Sequence, residues 1–207
     1  MSEEKGFDVD LKVSTSDENP ALRAKKEIFD WLQIFASVIV VVVLLFTLVF
    51  KIASIEGSSM EDTLFENQKV IISKIFYTPK QGDIVVISRN KTNSNSENTG
   101  TDALPIIKRV IATEGQTVDI DFEKGIVYVD GKELAEPYIK TPTNTQYEIK
   151  FPVTVKKGCV FVMGDNRNRS LDSRSSQIGD NGMIDTRYIM GKVLLRVFPF
   201  NEFGGVE

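Results

Sequence analysis

The sequence predicts a mostly β fold, an antiparallel β-sheet or barrel domain behind one N-terminal transmembrane helix. Three observations predict it. The run from Trp31 to Phe50 carries no formal charge and is mostly Val, Ile, Leu and Phe. At about 20 residues it can cross the roughly 30 Å hydrocarbon core as a helix. Beyond it, short runs rich in β-branched residues recur between turn signals. No segment after the span keeps a helical periodicity over three turns.

In chain order, residues 1–30 read as a cytoplasmic tail, the first 22 of them polar and acidic without periodicity. Residues 31–50 read as the anchor, with Trp31 and Lys51 suited to the two interfaces. Arg23, Lys25 and Lys26 precede the span and only Lys51 directly follows it, so the N-terminus is expected in the cytoplasm and residues 51–207 outside. The apolar run exceeds the usual 7–15 residues of a cleaved signal, so a retained single-pass anchor in the cell membrane is expected. In 51–207, strands are expected at Val70–Ile72, Ile84–Ile87, Ile106–Ala112, Val118–Ile120, Ile126–Val129, Tyr147–Phe151, Val160–Met163 and Val193–Phe198. Asp130-Gly131 closes a hairpin between Ile126–Val129 and Lys132–Leu134. Residues 90–102 are a polar, low-complexity flexible loop, and a second irregular stretch, Gly164–Gly182, is long enough to be functional.

Composition excludes several classes. The net charge is −4, from 25 basic and 29 acidic residues interleaved along the 207, so there is no basic field for nucleic acid. The chain has no histidine and one cysteine, which argues against structural zinc and haem, and no loop has EF-hand spacing. No metal or cofactor is expected. Cys159 lies in an apolar run, Cys159-Val160-Phe161-Val162-Met163, and reads as a small buried hydrophobe.

The candidate chemistry begins at Gly57-Ser58-Ser59-Met60, just after the span. A serine hydroxyl attacks well only when a base takes its proton, and without imidazole that base would be a lysine. Lys108 stands inside Ile106-Ile107-Lys108-Arg109-Val110-Ile111. Burial there would disfavour its ammonium form and leave a usable neutral amine. Taken alone, Ser59 reads as a turn residue, and Lys108 equally as a lysine guarding an edge strand. A third element is Gly164-Asp165-Asn166-Arg167-Asn168-Arg169-Ser170-Leu171-Asp172-Ser173-Arg174. Asp172 and Arg174 suit an ion-pair brace that could include Arg109, and Ser170 could hydrogen-bond a neutral lysine.

Gly57-Ser58-Ser59-Met60-Glu61-Asp62-Thr63-Leu64, Gly82-Asp83-Ile84-Val85-Val86, Ile107-Lys108-Arg109-Val110-Ile111 and the 164–174 run together resemble, in order, the boxes of the bacterial type I signal peptidases, in their single-span, Gram-positive-like form. The resemblance implies a Ser/Lys endopeptidase that removes signal peptides from translocated pre-proteins, at the lipid surface and near the secretion translocon. It implies Ser59 as nucleophile and Lys108 as general base. Ser170 would support the lysine, and Gly164, Asp172, Arg174 and Arg109 would shape the site. Gly57, Met60, Leu64 and Ile107 would contact substrate. Some members supply a second oxyanion donor from a hydroxyl at the position of Gly57, which this chain lacks. It also has Asp62 where the family usually has proline, and Ala112-Thr113-Glu114-Gly115-Gln116 where the family tends to read Gly-x-Pro-Gly-Asp. The alternative is a silent membrane-anchored homologue that binds exported peptides or helps assemble pili, but such a chain would be expected to lose Ser59 or Lys108 first.

Overall fold

One helix, α1 (Pro20–Val49), precedes a β unit. The computed structural model describes residues 20–73, 75, 77–88 and 105–206, and the chain divides into two compact units, 1–45 and 46–207. Among the described residues α1 alone is long and apolar enough to cross a membrane. Its 30 residues, at 1.5 Å each, extend about 45 Å, more than the hydrocarbon core requires. Its large apolar side chains are exposed all round, as suits a helix solvated by lipid.

The helix starts at Pro20 and not at Trp31, because apolar composition marks where lipid begins, whereas helix formation follows backbone preference. Proline suits the first helical position, and Ala21-Leu22-Arg23-Ala24-Lys25-Lys26-Glu27 are strong helix formers. Residues 20–30 of the expected tail are therefore helical, and residues 1–19 lie outside the described residues, as does the expected 90–102 loop. Phe50, expected at the end of the span, instead opens β1 by pairing with Ser73.

The β unit contains β1 (Phe50–Ser54), β2 (Lys69–Ser73), β3 (Ile84–Ile87), β4 (Ile106–Thr113), β5 (Thr117–Asp121), β6 (Ile126–Val129), β7 (Lys132–Glu133), β8 (Val153–Thr154), β9 (Cys159–Met163), β10 (Ile184–Asp185), β11 (Ile189–Phe198) and β12 (Gly204–Gly205). They form two antiparallel sheets. The larger runs β1-β2-β11-β3-β4-β9-β10 with β12 beside β11, and the smaller runs β7-β6-β5-β8. β3 is buried at every residue and β4 at all but its two ends, which explains their nearly unbroken apolar sequence. The smaller sheet packs Val118, Ile120 and Val127 against Ile111, Phe161 and Met163 of the larger. Cys159 is half-buried against this cluster, and burial pushes its thiol up.

Seven of the expected strand runs coincide with β2, β3, β4, β5, β6, β9 and β11. At the expected hairpin Asp130 and Gly131 have φ of 52° and 74°, the left-handed pair a two-residue turn requires. The exception is Tyr147–Phe151, which joins no ladder. Its polar groups bond sideways: the Ile149 N–H donates to the Arg174 carbonyl, the Tyr147 hydroxyl donates to the Ser170 carbonyl, and Glu148 accepts from Ser175. The ladder position is taken by Val153–Thr154. β1, β10 and β12 escape periodicity because they are short or mostly exposed.

Gly82 and Asp83 lead directly into β3, and Asp83 links it to β4, through the Val110 N–H, and to β11. The Lys192 ammonium of β11 donates to Asp83 Oδ1 at 2.6 Å, and the Tyr77 hydroxyl and Lys80 N–H donate to Oδ2 at 2.8 and 2.9 Å. Burial alone would raise this carboxyl, but those three donors outweigh it and hold it below the usual carboxylate range. A depressed native value means that ionised Asp83 stabilises the fold above its unfolded pKa of about 3.9, and the contribution disappears as pH falls through the native value. Asp83→Asn is expected to lower the thermal midpoint at pH 7. The gap to wild type should close as pH falls below about 4; a pH-independent gap would exclude the carboxylate as its source.

Candidate active site

Three segments meet: the loop that follows β1, the middle of β4 and the loop that follows β9. In the first, Ile55 N–H donates to the Gln68 carbonyl and Asn67 N–H to the Ile55 carbonyl, closing the base of the loop. Thr63 and Leu64 N–H both donate to the Met60 carbonyl, a helical turn just after Ser59. Met60 and Leu64 point inward from this turn, 1% and 0% exposed, and anchor it in the core with Ile72, Val86 and Ile107. Ser59, half-buried, is held at the rim of that core.

Lys108 comes from the centre of the larger sheet, paired with Val85 of β3. It is 3% exposed. Its Nζ lies 2.7 Å from Ser59 Oγ and donates to it and, at 3.0 Å, to the Ile107 carbonyl. An uncharged amine at this position would have a lone pair for the serine proton. A hydroxyl at that distance can transfer its proton directly.

The next residue, Arg109, clamps Asp165 with two bonds of 2.9 and 2.7 Å and donates to the Gly82 carbonyl at 2.9 Å. Its guanidinium lies 3.9 Å from the centre of the Tyr138 ring. Asp165 accepts in turn from the Thr63 hydroxyl at 2.5 Å, so one buried carboxylate joins β4 to the turn after Ser59. Asp172 pairs with Arg174 through bonds of 2.9 Å to each oxygen, both residues being fully buried. Arg174 also donates to the Thr145, Arg167 and Ser170 carbonyls, and the Gly164 N–H donates to Asp172. The expected brace of Asp172 and Arg174 is present, but Arg109 belongs to a separate pair with Asp165. Arg167, also buried, pairs with Glu136 and donates to Thr143 Oγ1.

Gly164 has no room for a side chain. A Cβ there would overlap Ser170 Oγ and the Ser59 carbonyl. Ser170 is fully buried beside it, yet its Oγ has no hydrogen-bond partner among the described residues, so the expected bond to Lys108 is not formed. Ser170 approaches through packing against Gly164. Gly57 is exposed and offers only backbone atoms. Ile107 lines a cavity of about 230 Å³ with Ile52, Ala53, Ile72, Val86 and Met190. Met60 and Leu64, expected on such a wall, sit in the core that backs it, because the turn at Met60 directs both side chains inward.

Sequence reasoning assigned no role to Thr63, Asp165 or Asn166. Asn166 donates from Nδ2 to the Ser58 carbonyl at 3.0 Å and from its backbone N–H to the Ser59 carbonyl at 3.1 Å. The available signal was adjacency, since Asp165 and Asn166 directly follow Gly164.

A family model described as signal peptidase, peptidase S26, matches residues 28–198. A signal peptidase I of Bacillus licheniformis is 30% identical over 195 residues, covering 89% of this chain and 96% of its own length. A probable signal peptidase I-1 of Synechocystis is 39% identical over 154 residues, 72% of either chain. The solved structure of a signal peptidase I from Enterococcus faecalis V583 aligns with 56% of this chain and 97% of its own, with 25% identity and a TM-score of 0.41.

Removing one partner of a buried ion pair leaves the other charge uncompensated, at a cost of about 3–5 kcal/mol. Asp172→Ala, which strands Arg174 and frees the Gly164 N–H, is expected to destabilise the β unit by about that much. Urea unfolding measures it, and a loss under about 1 kcal/mol would mean that Arg174 is satisfied by carbonyls alone.

Proposed function

The chain belongs to the signal peptidase family, peptidase S26, and from that premise we propose that it is a membrane-anchored serine endopeptidase. It removes N-terminal signal peptides from translocated pre-proteins, with Ser59 as nucleophile and Lys108 as general base. The observation that carries this reading is a buried amine 2.7 Å from a serine hydroxyl in a chain without histidine.

In this mechanism the Ser59 oxygen attacks the carbonyl carbon before the scissile bond while its proton passes to the Lys108 amine. The developing oxyanion faces the Ser59 N–H. The ammonium returns its proton to the leaving amine, and the same amine then activates the water that cleaves the acyl-enzyme. Arg109, Asp165 and Thr63 fix β4 against the nucleophile turn, so the two reacting groups are held in place before substrate arrives. The signal peptide lies extended beside the segments leading to Ser59 and Lys108, as an added strand. The apolar cavity at Ile107 receives a small side chain near the cleavage point.

α1 serves as the anchor, supported by its length and its apolar surface. Arg23, Lys25 and Lys26 in the first turns of α1, ahead of its apolar stretch, against Lys51 directly after the helix, favour a cytoplasmic N-terminus with the β unit on the far side, near the translocon. The short connection from Lys51 to Ser59 keeps the nucleophile near the lipid surface, where a precursor is still held by its own signal segment.

Ser59→Ala and Lys108→Ala are each expected to reduce cleavage of a precursor bearing Ala-x-Ala by at least about 10³-fold while leaving the thermal unfolding profile recognisable. Gel-based processing with detergent-solubilised protein measures this, and near-normal turnover in Lys108→Ala would exclude the dyad. Because only the free amine accepts the proton, kcat/KM should rise with pH as the ammonium is lost. A rate that falls across the same range would assign the base elsewhere.

A further inference from the structure

Ser59 brings two groups to the proposed reaction, its hydroxyl and its backbone N–H, and Lys108 governs only the first. Among the described residues the Ser59 N–H donates to no protein acceptor, so it is available to an oxyanion. The other edge of the same peptide unit is fixed. Asn166 Nδ2 donates to the Ser58 carbonyl at 3.0 Å. A trans peptide unit is planar, with its C=O and N–H pointing in opposite directions, so holding the Ser58 oxygen sets the direction of the Ser59 N–H. A hydrogen bond to the carbonyl also polarises the amide, which strengthens its N–H as a donor. The unit on the other side of Ser59 is tied to the same residue, through the Asn166 N–H and the Ser59 carbonyl.

Asn166 is itself well placed to transmit rigidity. Its carbonyl accepts from the Arg169 N–H at 3.0 Å, Asp165 before it is clamped by Arg109, and Gly164 is held by Asp172. Gly57 provides no hydroxyl as a second donor, so the accuracy of the Ser59 N–H matters more here.

We propose that Asn166 is a positioning residue for oxyanion stabilisation, aiming the Ser59 N–H through the Ser58 carbonyl. The proposal rests on the reading of Ser59 as nucleophile. Asn166→Ala removes the Nδ2 donor and keeps the backbone bond to the Ser59 carbonyl; Asn166→Asp keeps the shape but sets an acceptor against the Ser58 oxygen.

The test uses the full chain in detergent and a peptide aldehyde ending in Ala-x-Ala. In its adduct the Ser59 oxygen bonds to the aldehyde carbon, the carbonyl π bond opens, and the hydroxyl proton passes to Lys108. The new oxyanion then lies where the N–H is aimed. Loss of a whole oxyanion donor costs roughly 10²–10³ in rate, so misdirecting one should cost about tenfold or more. Both variants are expected to lose at least about tenfold in kcat and in aldehyde affinity, with Asp the worse. KM and the affinity for the carboxylate product peptide should stay within about twofold, and the pH midpoint of kcat should not move. The proposal is overturned if kcat and aldehyde affinity are retained in both variants, if the loss falls on KM, or if it simply follows loss of folded protein in both. Turnover surviving in Ser59→Ala would overturn the underlying reading. Full turnover in Asn166→Ala beside a dead Ser59→Ala would overturn the role of Asn166 alone.

Discussion

A lysine amine withheld from water is the constraint around which the β unit is arranged. At 3% exposure Lys108 is enclosed by strands on both sides and by a covering loop. β3 and β9 flank β4 and supply the ladder, while the Ser59 hydroxyl and the Ile107 carbonyl receive the amine. The turn after Ser59 is stapled into the same core by Met60 and Leu64. Displacing that staple would expose the amine to water, so packing and chemistry are coupled at this point.

The surrounding guanidinium groups are held by ion pairs. Arg109, Arg167 and Arg174 are buried, and each has its own carboxylate: Asp165, Glu136 and Asp172. Such pairs contribute little net stability against their desolvation, so their value here is geometric. Each guanidinium also donates to oxygens of a neighbouring segment, Gly82 for Arg109, Thr143 and Gly164 for Arg167, and Thr145, Arg167 and Ser170 for Arg174. An irregular loop with few apolar side chains is thereby held in one conformation. Its product is a rigid surface, ending at Gly164 and Asn166, against which the backbone of Ser58 and Ser59 is fixed.

What could be read from sequence followed from residue chemistry that acts locally. β-branched runs between turns located most of the strands, and a lysine among isoleucines and valines signalled burial. Tyr147–Phe151 alternates apolar and charged residues as a strand does, but its backbone and hydroxyl bond to the 170–175 segment, a long-range partnership invisible to periodicity. The Asp172–Arg174 pair was legible because its members are two residues apart, whereas Asp165 receives Arg109 from 56 residues away. Met60 and Leu64 lie behind the cavity wall because a turn, not a strand, follows Ser59. Ser170 is the subtler case: it adjoins Gly164 as a matter of volume, without the hydrogen bond its hydroxyl suggested.

The departures from the family pattern can be weighed by what they touch. Asp62, where proline is usual, is half exposed and pairs with the exposed Lys140 at 3.3 Å, a contact worth little in stability. The turn it belongs to is closed instead by the bonds of Thr63 and Leu64 to Met60 and of Thr63 to Asp165. Ala112 is fully buried where β4 shifts register against β9, so a methyl group fits where glycine is usual. After it, Gln116 Oε1 accepts from both the N–H and the hydroxyl of Thr113, closing a turn that proline would otherwise stiffen. Each lost constraint is thus replaced by a hydrogen bond nearby, and none of the replacements involves Ser59 or Lys108. A site can tolerate such changes when rigidity enters it from several directions. Here it enters through β4, through the Met60 staple and through the loop after β9.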